Sequence, residues 1–444
     1  MKKDFLGQVH GIANLERAWR TIYENGRTSK SEDSKAELAK FFEDAPYNLR
    51  SLQNRLSRGK FVFPAAKGIP VPKLDAKGKK TGKIRPLVLA PVESRIVQRA
   101  VLNVLVDVPP LAGFVKTPYS FGGVRADKPK KAPDGSSIPR AERAAAVPAA
   151  IKAVLAAIED GARFVALADI EGFFTKISKT HVVEIVEHAT GSSDFTAFFR
   201  QAINVELSNL AALRSLNADW PIEDIGVAQG NSLSPLLGNM VLADFDRQMN
   251  EGDCRCIRYI DDFIILAPTE RAANARLRKA KAILADLGMN LSPTKSSTGG
   301  FSISDGFDFL GINICPGAIR PGSKAQTKFI TSIDGVLDQA QYSFVALRDG
   351  RHFEKTQMLL GTLKKLDGMI DGWGKHYWFC NDEQIWRNLD DKITAKVRHL
   401  LGLYGQVREA TPLERKATLL GLSELIRIER EPYVYPTVRP RPRS

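Results

Sequence analysis

Three aspartates in this chain have a type and placing that demand a chemical reason. Asp261 and Asp262 stand side by side within "CRCIRYIDDFIILAP" (254–268), an otherwise apolar, β-branched run. A half-buried strand does not carry adjacent like charges at its centre without cause. The flanking Tyr259-Ile260 and Phe263–Leu266 suggest two strands joined by a tight turn, where Asp is chemically at home. For an isolated pair, a solvated hairpin tip is the simpler reading. Asp169 ends a second apolar run, "RFVALADIEGFF". Placed beside the hairpin tip, it would put three carboxylates on one sheet edge, where they repel strongly in a low dielectric. Divalent magnesium resolves that repulsion, because it takes hard oxygen ligands and also accepts phosphates. Two such ions about 3.5–4 Å apart can activate an attacking hydroxyl and neutralise a leaving group in an in-line displacement.

Several elements must bring these residues together. Helical spacing of apolar residues runs through residues 1–60, as in "NLERAWRTIY" and "YNLRSLQNRL". Short strands joined by a Lys/Gly loop follow up to residue 91, then a helix, "ESRIVQRAVLNVLVDV". Residues 127–143, rich in Pro, Ser and charge, predict an exposed insertion. A helix leads into the Asp169 strand, and helical stretches continue to about residue 215. Between the aspartate segments lies "GVAQGNSLSPLLGNMVLADFDRQM", where Gln229-Gly230 precede an amphipathic helix. Glycine beside a polar amide lets backbone approach a nucleotide closely. An ordinary loop and a Ser-capped helix explain the same residues. After the Asp-Asp segment come a helix, further strands to about 320, mainly helical sequence over 325–430, and an extended Pro/Arg tail. Alternating strands and helices between helical ends predict an α+β chain.

Composition narrows the partners. The 444 residues suffice for two or three domains, and 64 Lys+Arg against 50 Asp+Glu leave a net charge of +14. That excess favours a polyanion, most commonly nucleic acid. The four cysteines form neither a disulfide framework nor a zinc pattern, and Cys254 and Cys256 are expected as small buried thiols. The start "MKKDFLGQVHG" has no apolar core of a leader, and no stretch is long and apolar enough to span a membrane. The expected location is the cytoplasm.

The ordered set "ALADIEGFF", "AQGNSLSPLLGN", "YIDDFIIL", "LGMNLSPTK" and "FDFLGINI" resembles the palm motifs A to E of reverse transcriptases. It looks most like the group II intron branch, which includes retrons and bacterial defence-associated enzymes of the unknown groups. Upstream, "GKIRPLVLAPVESRIVQRAVLNVL" is similar to that branch's fingers, "YSFGGVRADK" to its next motif, and "GMIDGWGKHYWFCNDEQIWRNLDDKI" to its thumb. The resemblance implies a right-hand polymerase with a palm built on an antiparallel sheet. Its expected parts are N-terminal helices and fingers at 1–125, an insertion at 126–148 and a palm at 149–322. A helical thumb at 323–405 and a C-terminal helix with a basic tail at 406–444 complete it.

Residue by residue, the resemblance implies that Asp169, Asp261 and Asp262 are catalytic and hold two Mg²⁺ ions, with the Ile170 carbonyl as a further ligand. Phe174 occupies the family's steric-gate position, where a ring would exclude a ribonucleotide 2′-hydroxyl. One of Phe173 and Phe174 is expected in the core. Gln229 would contact the incoming dNTP, and Lys295 matches the lysine that protonates pyrophosphate, an exposed turn lysine being the alternative. Arg85 and Lys83 would grip the triphosphate, since Arg offers phosphate a planar fork. Lys77, Lys79 and Lys80 read as a solvated loop. Arg95 and Gln98 would position template or else pair structurally, and Tyr259 would pack the hairpin near the primer end. At least two of Trp373, Tyr377 and Trp378 are expected in the thumb core.

The sequence also departs from the branch. Where a Gly-x-Asp-Gly turn is usual it reads "GRTSKSED", and no retron-type "VTG" follows the palm. No carboxylate set for RNase H and no Cys/His cluster for an HNH endonuclease stands out, and no further catalytic domain is expected in the residues that follow the thumb here. The expectation is a stand-alone RNA-directed DNA polymerase that copies a cognate structured noncoding RNA into DNA, in bacterial antiviral defence. The alternatives are an intron-folding maturase, or a polymerase that is template-independent or protein-primed.

Overall fold

The computed structural model describes residues 3–433 except 30, 75–78, 116, 124–145, 214–215, 217–219, 223, 424 and 426–427. The expected insertion at 127–143, Lys77 and nearly all of the C-terminal tail therefore lie outside the described residues. The chain forms two compact units, Met1–Ile303 and Ser304–Ser444.

The first unit opens with helices α1 (Phe5–His10), α2 (Ile12–Gly26), α3 (Glu32–Glu43) and α4 (Ala45–Ser57), as the apolar spacing predicts. The side chains of Asp4, Ser31 and Asp44 each accept a hydrogen bond from the backbone N–H three residues on. Each satisfies a donor that a helix start leaves open. Strands β1 (Lys67–Leu74) and β2 (Lys80–Leu89) pair antiparallel, and α5 (Val92–Leu105) follows. Helix α5 is buried along most of its length and, with Leu15, Ala18, Trp19 and Leu52 of α2 and α4, enters the main apolar core.

After α6 (Pro109–Ala112), helix α7 (Ala146–Glu159) leads into β3 (Phe164–Asp169). A 3₁₀ turn at Phe173–Lys176 then precedes α8 (Lys179–Thr190), α9 (Ser193–Ile203), α10 (Leu210–Leu213), α11 (Ser234–Val241) and α12 (Ala243–Met249). The hairpin β4 (Arg255–Tyr259) and β5 (Asp262–Ala267), helix α13 (Glu270–Asp286) and β6 (Phe301–Ser302) complete the unit. The sheet order is β4-β5-β3-β6, antiparallel throughout. Phe263 to Ala267 of β5 are all buried, so this central strand reads in sequence as an unbroken apolar run. Cys254 and Cys256 are buried free thiols, as expected, and burial pushes both thiol pKa values up.

The second unit holds a meander, β7 (Phe307–Phe309), β8 (Ile312–Cys315) and β9 (Ala318–Pro321), followed by α14 (Ser323–Arg348), α15 (Leu359–His376), α16 (Glu383–Ala410) and α17 (Lys416–Leu420). The sequence reading placed this meander in the palm, ending at 322. By contact it groups with the helices, for a local reason: Asn381 accepts from the Ile319 N–H at 2.7 Å and donates its own N–H to the Ile319 carbonyl at 2.9 Å. Trp373 stacks on Phe329 with centroids 4.4 Å apart and meets Trp386 edge-on, so its ring packs against the apolar core of this unit. No described helix is long and apolar enough to cross a membrane.

Candidate active site

The three aspartates meet because of strand register. Antiparallel pairing of β3 with β5 sets Asp169 opposite Asp262, and pairing of β4 with β5 sets Tyr259 opposite the same residue. Asp261 lies in the turn between β4 and β5, and its carbonyl accepts the Ile170 N–H at 3.0 Å. One carboxylate oxygen from each of Asp169, Asp261 and Asp262 lies within 4.8 Å of the other two. Asp169 is only 5% exposed. The turn is strained: Ile260 has φ of 63°, which costs a β-branched residue roughly 1–3 kcal/mol. A Cβ at Gly122 would come within 2.8 Å of the Ile260 nitrogen, so only glycine lets the 119–123 segment lie against this turn.

Burial and the negative charge of Asp169 push the Asp261 carboxyl above its ordinary value, against the opposing charges of Lys295 and Arg85. Burial, a hydrogen bond with Asp169 and the Asp261 charge push Asp262 up to about 7. The Lys295 ammonium donates to Asp169 Oδ1 at 2.8 Å. Burial works to lower the lysine's pKa, but that bond and the carboxylate charges raise it on balance. Three oxygen-donor carboxylates, two of them with pKa values raised by burial and by neighbouring negative charge, fit a hard divalent cation, which would relieve the repulsion.

The segment bearing Lys295 is fastened along the edge of β3. The Ser292 N–H donates to the Asp169 carbonyl at 2.7 Å, and Ser296 Oγ accepts the Asp169 N–H at 3.1 Å. Ser297 bonds Leu167 through both its backbone N–H and its hydroxyl. Sequence reasoning picked out only Lys295 here; the serines of "LSPTKSS" are what pin its loop.

Strand β2 also reaches the site. Lys83 Nζ lies 3.3 Å from Glu171, just past Asp169, and Arg85 acts on Asp261 through its charge. The Gln229 carbonyl accepts the Val88 N–H at 3.0 Å, and Gly230, at φ of 113°, leaves 2.9 Å between its missing Cβ and the Val88 carbonyl. The room that this glycine provides is filled by β2 of the same chain. Phe173 is 3% exposed, while Phe174 is half-buried and accepts the Val227 N–H at its carbonyl, so Phe173 is the core member of the pair.

One expectation needs correction. No side chain caps the start of α11: Asn231 Oδ1 accepts the Leu233 N–H at 2.9 Å in the turn before it, and Ser234 donates its hydroxyl to the Ala228 carbonyl at 2.7 Å. Arg95 and Gln98 each have a structural partner, in keeping with one of their two readings. The Gln98 amide is buried and donates to the Ala202 carbonyl at 3.0 Å, and Arg95 donates to Ser34 Oγ at 3.3 Å. Sequence reasoning missed Arg258 altogether, a fully buried arginine next to the hairpin turn. Its signal was a charge two residues from Cys256 on the same strand face, which must find an acidic partner.

Comparison with known proteins adds a family. The profile described as "Reverse transcriptase (RNA-dependent DNA polymerase)" matches residues 72–314. Protein YkfC of Escherichia coli (strain K12) is 23% identical over 304 residues, which is 59% of this chain and 70% of that protein. A partial Cas6-RT-Cas1–Cas2 complex aligns at 20% identity and a TM-score of 0.33, covering 64% of this chain and 43% of that one. Telomerase from Candida albicans, solved with a TWJ fragment of telomeric RNA, aligns at 13% identity and a TM-score of 0.40, covering 81% of this chain and 59% of that one. The structural matches thus span less than two thirds of those chains and carry no weight of their own.

Proposed function

The chain belongs to the reverse transcriptase (RNA-dependent DNA polymerase) family, and from that premise we propose that Asp169, Asp261 and Asp262 hold two Mg²⁺ ions for DNA synthesis. It is an RNA-directed DNA polymerase with a right-hand fold. The observation that carries the assignment is the meeting of three carboxylates, with oxygens within 4.8 Å, at facing strand ends. Bound divalent ions would activate the primer 3′-hydroxyl and neutralise charge on the departing pyrophosphate. The Ile170 carbonyl is proposed as a further ligand.

The remaining roles fall to side chains around that edge. Arg85 and Lys83 on β2 bind the triphosphate, the arginine through its planar fork. Gln229, tied to β2 through its backbone, contacts the incoming nucleotide. The Phe174 ring stands where a ribose 2′-hydroxyl would fall and so favours dNTPs. Lys295 keeps its proton beside Asp169 and gives it to pyrophosphate. Residues 1–125 serve as N-terminal helices and fingers and 149–303 as palm, with the thumb in the second unit.

The finer reading is that the template is a cognate structured noncoding RNA and that the DNA product acts in antiviral defence in the cytoplasm. Its support is the motif resemblance to the defence-associated branch. The test is purification from the native host, then sequencing of the bound RNA and the DNA made on it. DNA complementary to one recurrent RNA is expected. Products without a template match, or intron RNA alone, would overturn it.

A further inference from the structure

Arg258 is completely buried, the largest side chain among the described residues to be so. Its Nε donates to Asp246 Oδ1 at 2.8 Å and its Nη2 to Asp246 Oδ2 at 2.6 Å, a bidentate fork onto helix α12. The same Nη2 donates to Asn239 Oδ1 of α11 at 3.1 Å. The remaining arm, Nη1, donates to the carbonyl of Ile260 at 2.9 Å. Ile260 is the left-handed residue that directly precedes Asp261. The arginine therefore grips the strained peptide from which the two aspartates project.

The anchor is itself held from further sides. Asn239 Oδ1 also accepts from Ser120 Oγ at 3.0 Å, and Asn239 Nδ2 donates to the Phe114 carbonyl at 3.0 Å. The backbone of Arg258 exchanges hydrogen bonds with Tyr119 and Phe121, each at 2.8 Å. Two helices thus converge on one guanidinium, while the 119–121 segment holds the backbone of Arg258 and the Asn239 side chain that the guanidinium bonds. A buried ion pair is a weak source of stability, since hydrophobic residues of similar volume often replace one without loss. This geometry gives it a different role, because the planar fork binds the Asp246 carboxylate through two N–H groups while its other arm reaches the Ile260 carbonyl, a span that lysine's compact ammonium does not match.

We propose that Arg258 is a positioning residue that fixes the Ile260 peptide, and through it the spacing of Asp261 and Asp262 for divalent cations. The proposal rests on the carboxylates being the cation site, and its test separates the two claims. Mn²⁺ binding to the purified full-length chain is followed by calorimetry and by the rise in melting temperature, beside primer extension. The variants are Arg258→Met/Asp246→Leu, which removes both charges together, and Arg258→Lys. Leu52→Ala, in α4, supplies a comparable loss of stability elsewhere in the unit.

For Arg258→Met/Asp246→Leu the expected result is a folded chain with Mn²⁺ affinity and half-maximal cation concentration each worsened about tenfold, at unchanged KM for primer–template. Arg258→Lys is expected to show the same shift, and carries the test alone if the double variant does not fold. Leu52→Ala should melt earlier with its cation requirement unmoved. If Arg258→Lys melts earlier yet keeps the wild-type Mn²⁺ affinity within twofold, Arg258 is merely structural and the proposal is overturned. If the wild-type chain binds no Mn²⁺ through its aspartates, the active-site assignment itself fails instead.

Discussion

Asp262, pushed up to about 7, makes the cost of this site measurable at the level of one side chain. Asp261 and Asp262 have native pKa values above the unfolded carboxylate value. Between that value and about 7, the native state therefore binds more protons than the unfolded chain. Their contribution to stability is fully present at acid pH and is lost as pH rises towards neutrality. In chelator at pH 7.5, Asp262→Asn is expected to raise the melting temperature by roughly 2–4 °C and to change little at pH 4. An equal or lower melting temperature at pH 7.5 would show that the carboxylates are not in conflict. At Phe174 the outcome is chemical: Phe174→Ala should reduce discrimination against rNTPs by about tenfold or more, read from competing dNTP and rNTP incorporation. The aspartates were legible in the sequence because charge within an apolar strand is conspicuous. Arg258 was not, since its meaning depends on Asp246 and Asn239, which lie on helices that sequence alone does not fold back onto the strand.

At the scale of elements, register does the positioning. The expected strands, hairpin and helices formed because apolar runs such as Phe263–Leu266 have one reading as buried strand once turns bound them. What the sequence could not disclose was which edges meet. The Lys295 loop lies along β3 through Ser292, Ser296 and Ser297, and the Gln229-Gly230 loop lies along β2 through Val88. Backbone bonds made by residues of unremarkable type leave no sequence signal. Gly230→Ala is the corresponding test, since its Cβ would press on the Val88 carbonyl and displace the strand that bears Lys83 and Arg85. The expected result is a stability loss of about 1–3 kcal/mol in chemical denaturation and a raised KM for dNTP. An unchanged KM would show that this clip does not place the triphosphate-binding strand.

At the scale of the whole molecule, the net charge of +14 is expected to act on nucleic acid. Binding of primer–template should weaken linearly in log–log form as salt rises, in proportion to the phosphates neutralised. A salt-independent affinity, measured by fluorescence anisotropy, would deny the electrostatic role. The division at Ile303 does not follow the motif boundaries, because the segment that resembles motif E bonds to Asn381 within the second unit.

The most direct test of the central claim is single-turnover incorporation of one dNTP on an RNA template in Mg²⁺, comparing the wild type with Asp261→Asn. The expected loss is about 10³-fold in rate with the chain still folded. A rate within tenfold of the wild type would contradict the assignment of the carboxylate cluster as the catalytic centre.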